Sequence, residues 1–228
     1  MRTRILPCTV VFVLLHCQGT NAPTRAPGST NVNDDVFVNL SELRNECEPF
    51  GSRSMGAADV LQLRSACIRA LVGDKPRSSV AISFRYLGPS QKEEPLASGE
   101  LRRQIGLKLR AHDTCNVIYV MWHVVPDSGV HVSVKSNPGL TDHASCGDRG
   151  YINLPSLAAR VPIVRPGEPH TLSARVDGQR LRVFADGDVA WDGILPSAAF
   201  AVDGPVGIRS DNGDFDVELR ASPELALR

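Results

Sequence analysis

Eight residues in the middle third of the chain carry side chains suited to holding a polar ligand: Gln104, Lys108, Arg110, Tyr119, His123, His131, Ser133 and Lys135. They fall at alternating positions within three apolar runs. Alternate residues of an extended chain share a face. Gln104, Lys108 and Arg110 therefore oppose Ile105, Leu107 and Leu109, and Tyr119, Met121 and His123 oppose Ile118, Val120 and Trp122. His131, Ser133 and Lys135 likewise oppose Val130, Val132 and Val134. Sequential strands joined by short turns are usually neighbours, and if these three are, their polar faces merge into one patch. Three cations, flat rings between them and directional hydrogen-bonding groups suit a glycan or an acidic ligand better than a metal or a nucleotide. The plain alternative is a solvated sheet face, since such faces routinely carry Lys and Arg.

Other chemistry finds less support. Neither G-x-S-x-G nor H-E-x-x-H occurs, and there is no P-loop. His123 and His131 share the proposed face, but an imidazole metal site needs a third ligand that the sequence does not place; no metal is assigned. The acidic run Asp211, Asp214, Asp216 and Glu218 straddles Asn212-Gly213 and reads as a solvated hairpin. Carboxylates gather there, so calcium is the one cofactor to consider, though the spacing is not that of an EF-hand. Residues 136–151 form a polar, glycine-rich loop carrying Asp142, His143, Asp148 and Arg149, of the kind that often holds binding residues. Lys plus Arg equals Asp plus Glu, at 25 each, which gives no general electrostatic reason to expect nucleic acid as a partner. Aromatic residues make up only 5% of the chain, which counts mildly against a dedicated sugar reader.

The start of the chain reads as an export signal. Arg2 and Arg4 precede an apolar run over residues 5–15 that is too short to span a bilayer, and Thr20, Asn21 and Ala22 supply a small-residue cleavage site. A lipoprotein anchored at Cys17 is the alternative, disfavoured by His16 where a small residue is wanted. No other segment is apolar enough to be a transmembrane helix. Cleavage after Ala22 leaves Cys47, Cys67, Cys115 and Cys146, an even set expected to form disulfides in an oxidising compartment. Four cysteines allow three connectivities. The two sequential pairs, Cys47–Cys67 and Cys115–Cys146, are favoured because each closes a locally organised segment.

The elements that must position the patch are strands. Residues 23–34 are a polar, flexible linker, residues 35–222 the folded domain, and residues 223–228 a tail. Residues 57–72 fit either an amphipathic helix or two strands, and strands are preferred because their neighbours are strands; Leu61, Leu63, Ile68 and Ala70 would then point inward. Between His170 and Leu219, five Asp-Gly or Asn-Gly dipeptides (at 177, 186, 192, 203 and 212) cut the chain into short alternating runs, as expected of a meander with tight turns.

This last stretch resembles the paired strands of laminin-G-like and concanavalin A-like lectin and glucanase domains. HTLSARVDGQRLRVFADGDVAWDG carries the F-x-DG hairpin at Phe184, Ala185, Asp186 and Gly187, and GPVGIRSDNGDFDVEL resembles the closing strands. The resemblance covers the C-terminal fifty or so residues. It implies an all-β, two-sheet antiparallel jelly-roll sandwich whose concave face often holds ligands in relatives. Glucanases of that superfamily carry E-x-D-x-x-E or similar on one strand, which is not found here. The reading is an exported, non-catalytic binding module for a glycan or acidic ligand. A structural domain that packs on a protein partner is the alternative, and a glycoside hydrolase-like enzyme comes third.

Overall fold

A computed structural model describes residues 35–47, 51–55, 58–155 and 161–225. The proposed signal segment, the Cys17 anchor and the linker before Asp35 lie outside these residues. Fifteen strands follow in chain order: β1 (Val36–Phe37), β2 (Leu43–Asn45), β3 (Gly51–Met55), β4 (Ala58–Leu63), β5 (Cys67–Val72), β6 (Ser79–Pro89), β7 (Arg103–Leu109) and β8 (Val117–Val125). Then come β9 (Gly129–Lys135), β10 (Tyr151–Leu154), β11 (Pro169–Asp177), β12 (Arg180–Ala185), β13 (Asp188–Ile194), β14 (Gly207–Asp211) and β15 (Gly213–Ala221). One short helix, α1 (His143–Cys146), sits between β9 and β10.

All pairings are antiparallel. One sheet runs β13-β12-β11-β6-β15-β4-β3, with β1 added at the end of β15. The other runs β10-β9-β8-β7-β14-β5-β2. The core lies between them, and the period-two alternation of the sequence fills it. Ile105, Leu107, Ile118, Val120, Trp122, Val132 and Ile208 come from one sheet, and Ile82, Phe84, Leu172, Val183, Phe215 and Val217 from the other. Trp122 bridges the layers, meeting Phe84 edge-on at 5.6 Å between ring centroids, a geometry that aromatic quadrupoles favour. Residues 57–72 contain strands, as preferred above, and Leu61, Leu63, Ile68 and Ala70 all join this core.

The C-terminal stretch departs from a simple meander. Only β11, β12 and β13 form consecutive hairpins. Asp186 and Gly187 both take positive φ in the two-residue turn between β12 and β13, as a type I′ hairpin requires. Asp192-Gly193 is not a turn; it lies within β13, where Asp192 accepts two hydrogen bonds from Arg180, at 2.6 and 2.8 Å. Asn212 also takes positive φ, but the chain there passes from β14 in one sheet to β15 in the other. The acidic run is consequently no solvated hairpin: Asp211 and Asn212 are buried. Residues 223–225, expected to be a tail, are pinned by Leu225 N–H donating to Pro76 O and by Glu224 pairing with Lys75.

The disulfides are Cys47–Cys67 and Cys115–Cys146, the two sequential pairs. With separations of 20 and 31 residues, each restricts the unfolded chain by about 3–4 kcal/mol in the chain-entropy account. Among the described residues, no helix is long and apolar enough to cross a membrane.

Candidate functional site

The outer face of the β7-containing sheet, turned away from the core, is built from rows of side chains that the strand registers set side by side. Asp211, Gln104 and His123 form one row across β14, β7 and β8. Arg69, Arg209, Gly106, Met121 and His131 form the next, across β5, β14, β7, β8 and β9. Lys108, Tyr119 and Ser133 make a third row, and Lys135 faces Tyr151 in a fourth. These rows line a groove of about 820 Å³, within the range of ligand-sized clefts.

Seven of the eight residues expected from sequence therefore come together here: Gln104, Lys108, Tyr119, His123, His131, Ser133 and Lys135. Arg110 does not. The β7 alternation ends at Leu109, and Arg110 takes a φ of 48°. Its guanidinium turns away to donate to the carbonyls of Ala199 and Val202, at 3.0 and 2.8 Å, and stacks over Phe200.

The patch is also not a free basic surface, because carboxylates from other elements meet its cations. Asp211 is 1% exposed. It accepts from Arg69 Nη2 and Gln104 Nε2, both at 2.6 Å, and from Arg209 Nε at 2.8 Å. Burial alone would raise its pKa, but the charges of Arg209 and Arg69 and the hydrogen bonds from Arg209 and Gln104 hold its carboxyl at about 2. Arg69 and Arg209 sit directly opposite one another across β5 and β14, an arrangement that repels and that Asp211, bonded to both, offsets in part from the adjoining row. The Arg209 guanidinium also lies 4.9 Å over the Tyr119 ring. Lys108, nearly fully buried, pairs with Glu46; burial lowers its pKa, and Glu46 opposes that shift. Arg102 pairs with Glu100 at the groove wall.

Lys135 is handled differently. Its buried ammonium donates to the carbonyls of Thr114 and Gly147, at 3.1 and 2.7 Å, and lies 5.3 Å from the centre of the Tyr151 ring. Burial lowers its pKa. Both carbonyls belong to residues next to Cys115 and Cys146, so that disulfide holds the two acceptors in place. The other disulfide works similarly for Lys108, because Glu46 adjoins Cys47.

His123 and His131 stack at 3.8 Å between centroids, with 15° between ring planes. His131 is exposed and His123 buried. Burial first, then the neighbouring His131 and Arg102, lowers the His123 pKa to about 3, so its imidazole is neutral at physiological pH.

Two loops wall the groove. Residues 94–102 are tied to its floor by Asn212, whose Oδ1 accepts from Glu94 N–H at 2.8 Å and whose Nδ2 donates to the carbonyls of Glu94 and Arg102. At the other end, the polar loop expected from sequence is constrained by the Cys115–Cys146 bond and by Asp142, which caps α1 by accepting from Ser145 N–H at 2.9 Å. That loop brings His143 and Asp148 to the groove.

Sequence reasoning missed Glu46, Arg69, Arg209, Asp211 and Tyr151. Arg69 and Arg209 alternate with core residues on β5 and β14, a signal of the same kind as the one used for β7 to β9. What was not readable was that β14 leaves the meander to pair with β7. Among the described residues no group of three or more His, Cys, Asp or Glu is arranged to hold a metal ion.

No protein-family model matches the chain, and no curated protein does. Solved structures do. The carbohydrate-binding module CBM66 from Bacillus subtilis aligns with a TM-score of 0.52 at 9% identity, over 83% of this chain and 97% of that one. The fold is a jelly-roll sandwich. The metal-free carbohydrate recognition domain of Emp46p aligns at 0.50 with 8% identity, over 82% and 90% of the two chains. SCLam, a non-specific endo-β-1,3(4)-glucanase of family GH16, gives 0.47 at 11% identity, over 83% and 86%. The likeness runs through most of the chain, well beyond the C-terminal stretch in which the resemblance was first legible.

Proposed function

We propose that the protein is an exported, non-catalytic carbohydrate-binding module that takes a neutral, hydroxyl-rich glycan in the groove over β14, β7, β8 and β9. The observation that carries this reading is the way the groove's charges are spent. Arg69 and Arg209 share Asp211, Lys108 has Glu46 and Arg102 has Glu100, while the Lys135 ammonium is spent on two backbone carbonyls. A polyanion would have to compete with these carboxylates, whereas a neutral sugar needs only hydrogen bonds and a ring face. Tyr151, 38% exposed and stacked on Tyr119, offers such a face beside Ser133 and Asn153. The reading thereby narrows the expectation of a glycan or acidic ligand to the first.

Binding is favoured over hydrolysis by the state of the buried carboxylate on the groove floor, Asp211. A glycosidase acid must keep its proton near neutral pH, and Asp211 is driven the opposite way. Export is supported by two formed disulfides, which persist in oxidising compartments. The jelly-roll neighbours that bind carbohydrate lend the fold but not the ligand.

A glycan array carrying neutral, uronic-acid and heparin-like sugars tests the proposal, with the parent compared with Tyr151→Ala. Neutral glycans should bind, and Tyr151→Ala should weaken them by about tenfold or more, the equivalent of ~1.4 kcal/mol. Retention by heparin-like sugars alone would contradict it.

A further inference from the structure

Gln104 and His123 face each other across β7 and β8. They are 2% and 4% exposed, line the groove, and each holds one buried polar atom without a partner: Gln104 Oε1 and His123 Nδ1. The hydrogen-bonding role of each atom follows from what the other end of its side chain does. Gln104 Nε2 donates to the Asp211 carboxylate at 2.6 Å. A flipped amide would set oxygen against carboxylate, so Oε1 is fixed as a lone acceptor. His123 Nε2 lies 3.3 Å from Arg102 Nη1. A guanidinium can only donate, so Nε2 accepts. A neutral imidazole then carries its proton on Nδ1, which is a lone donor.

One acceptor and one donor on register partners match a single group that both donates and accepts. We infer that a sugar hydroxyl is the group recognised here, donating to Gln104 Oε1 and accepting from His123 Nδ1–H. This inference rests on the groove being a glycan site and assigns the pair that reads the glycan within it. A carboxylate or sulfate could accept from His123 but has no proton for Gln104 Oε1, and it would approach Asp211. An ammonium could donate to Gln104 but would confront the His123 N–H and Arg209. The pair therefore selects a hydroxyl over either ion.

The groups facing His123 are His131 from β9, Arg102 from the wall, and Arg209 and Asp211 from β14. Burial, His131, Arg102 and Arg209 keep the ring neutral down to about pH 3 against the opposing charge of Asp211, so recognition through its N–H does not change between pH 5 and 8.

The test is calorimetric titration with neutral gluco-, manno- and galacto-oligosaccharides and with uronic-acid oligosaccharides. The parent, His123→Phe, Gln104→Met and Tyr151→Ala are compared. The expected result is binding of a neutral oligosaccharide. Either His123→Phe or Gln104→Met should weaken it by about tenfold or more, because a buried polar group of the ligand then loses its partner. His123→Phe leaves the Asp211 cluster intact, so its result stands even if Gln104→Met fails to fold. Neutral binding that Tyr151→Ala abolishes but His123→Phe and Gln104→Met leave unchanged would overturn this inference while the groove reading survives. If the folded parent binds no oligosaccharide of either kind, both readings fail together.

Discussion

Replacing Asp211 with Asn is the sharpest perturbation of the groove floor. The substitution preserves shape but removes the one carboxylate that Arg69 and Arg209 share. The arginine side chains are 18% and 12% exposed, so water cannot take over that role. Breaking a buried ion pair by deleting one partner costs about 3–5 kcal/mol, and the facing guanidiniums place this case toward the upper end. For a domain of this size each kcal/mol lowers the melting temperature by roughly 2–4 °C, so the midpoint should fall by roughly 6–20 °C. A thermal melt measures that shift, and urea unfolding at pH 7 with disulfides intact, followed by fluorescence of the buried Trp122 and Trp191, measures the free-energy loss. The double variant Asp211→Asn/Arg209→Met removes both a charge and its counter-charge and should recover part of the loss. A single variant within about 1 kcal/mol of the parent would refute the reasoning, because the carboxylate would then not be buried, ionised and shared.

Four further outcomes follow from the same geometry. Asp211 is held at about 2, below an unfolded carboxyl near 3.9; its contribution is complete above about pH 4 and disappears as the pH falls toward 2, so acid unfolding should shift to higher pH in Asp211→Asn. Reducing Cys115–Cys146 should free the Thr114 and Gly147 carbonyls from Lys135, and amine-reactive labelling read by mass spectrometry should find Lys135 protected in the oxidised protein and reactive in the reduced one; equal labelling in both would contradict the clamp. Lys108→Ala should lower stability by about 3 kcal/mol or more by stranding Glu46, whereas Arg110→Ala, outside the groove, should leave glycan affinity unchanged in the same titrations.

Much of the site was legible because β7, β8 and β9 obey period-two alternation and are joined in sequence order. Ile105, Leu107 and Leu109 point inward, so Gln104 and Lys108 had to point out. Arg110 escaped because its positive φ breaks the alternation one residue past the strand, and nothing in the sequence marks that break. The charge balance of the patch was not legible, because Asp211 and Glu46 reach it through long-range pairing. Asn212-Gly213 shows the limit of turn chemistry: Asn212 takes positive φ but Gly213 does not, and the dipeptide cannot say whether the next strand stays in the same sheet. Gly106 is similar. It looks unremarkable in sequence, yet a Cβ there would lie 2.1 Å from Val120 O, so the close approach of β7 to β8 at the middle of the groove floor requires glycine.

The central claim is that the outer face of the β7 sheet holds the ligand. Backbone amide shifts during titration with the neutral oligosaccharide that binds best on the array test it most directly. Shifts concentrated at Gln104, His123, His131, Tyr151 and Asp211 are predicted. Shifts confined to the far edges of the other sheet, at β3 and β13, with those five residues unmoved at saturation, would contradict it.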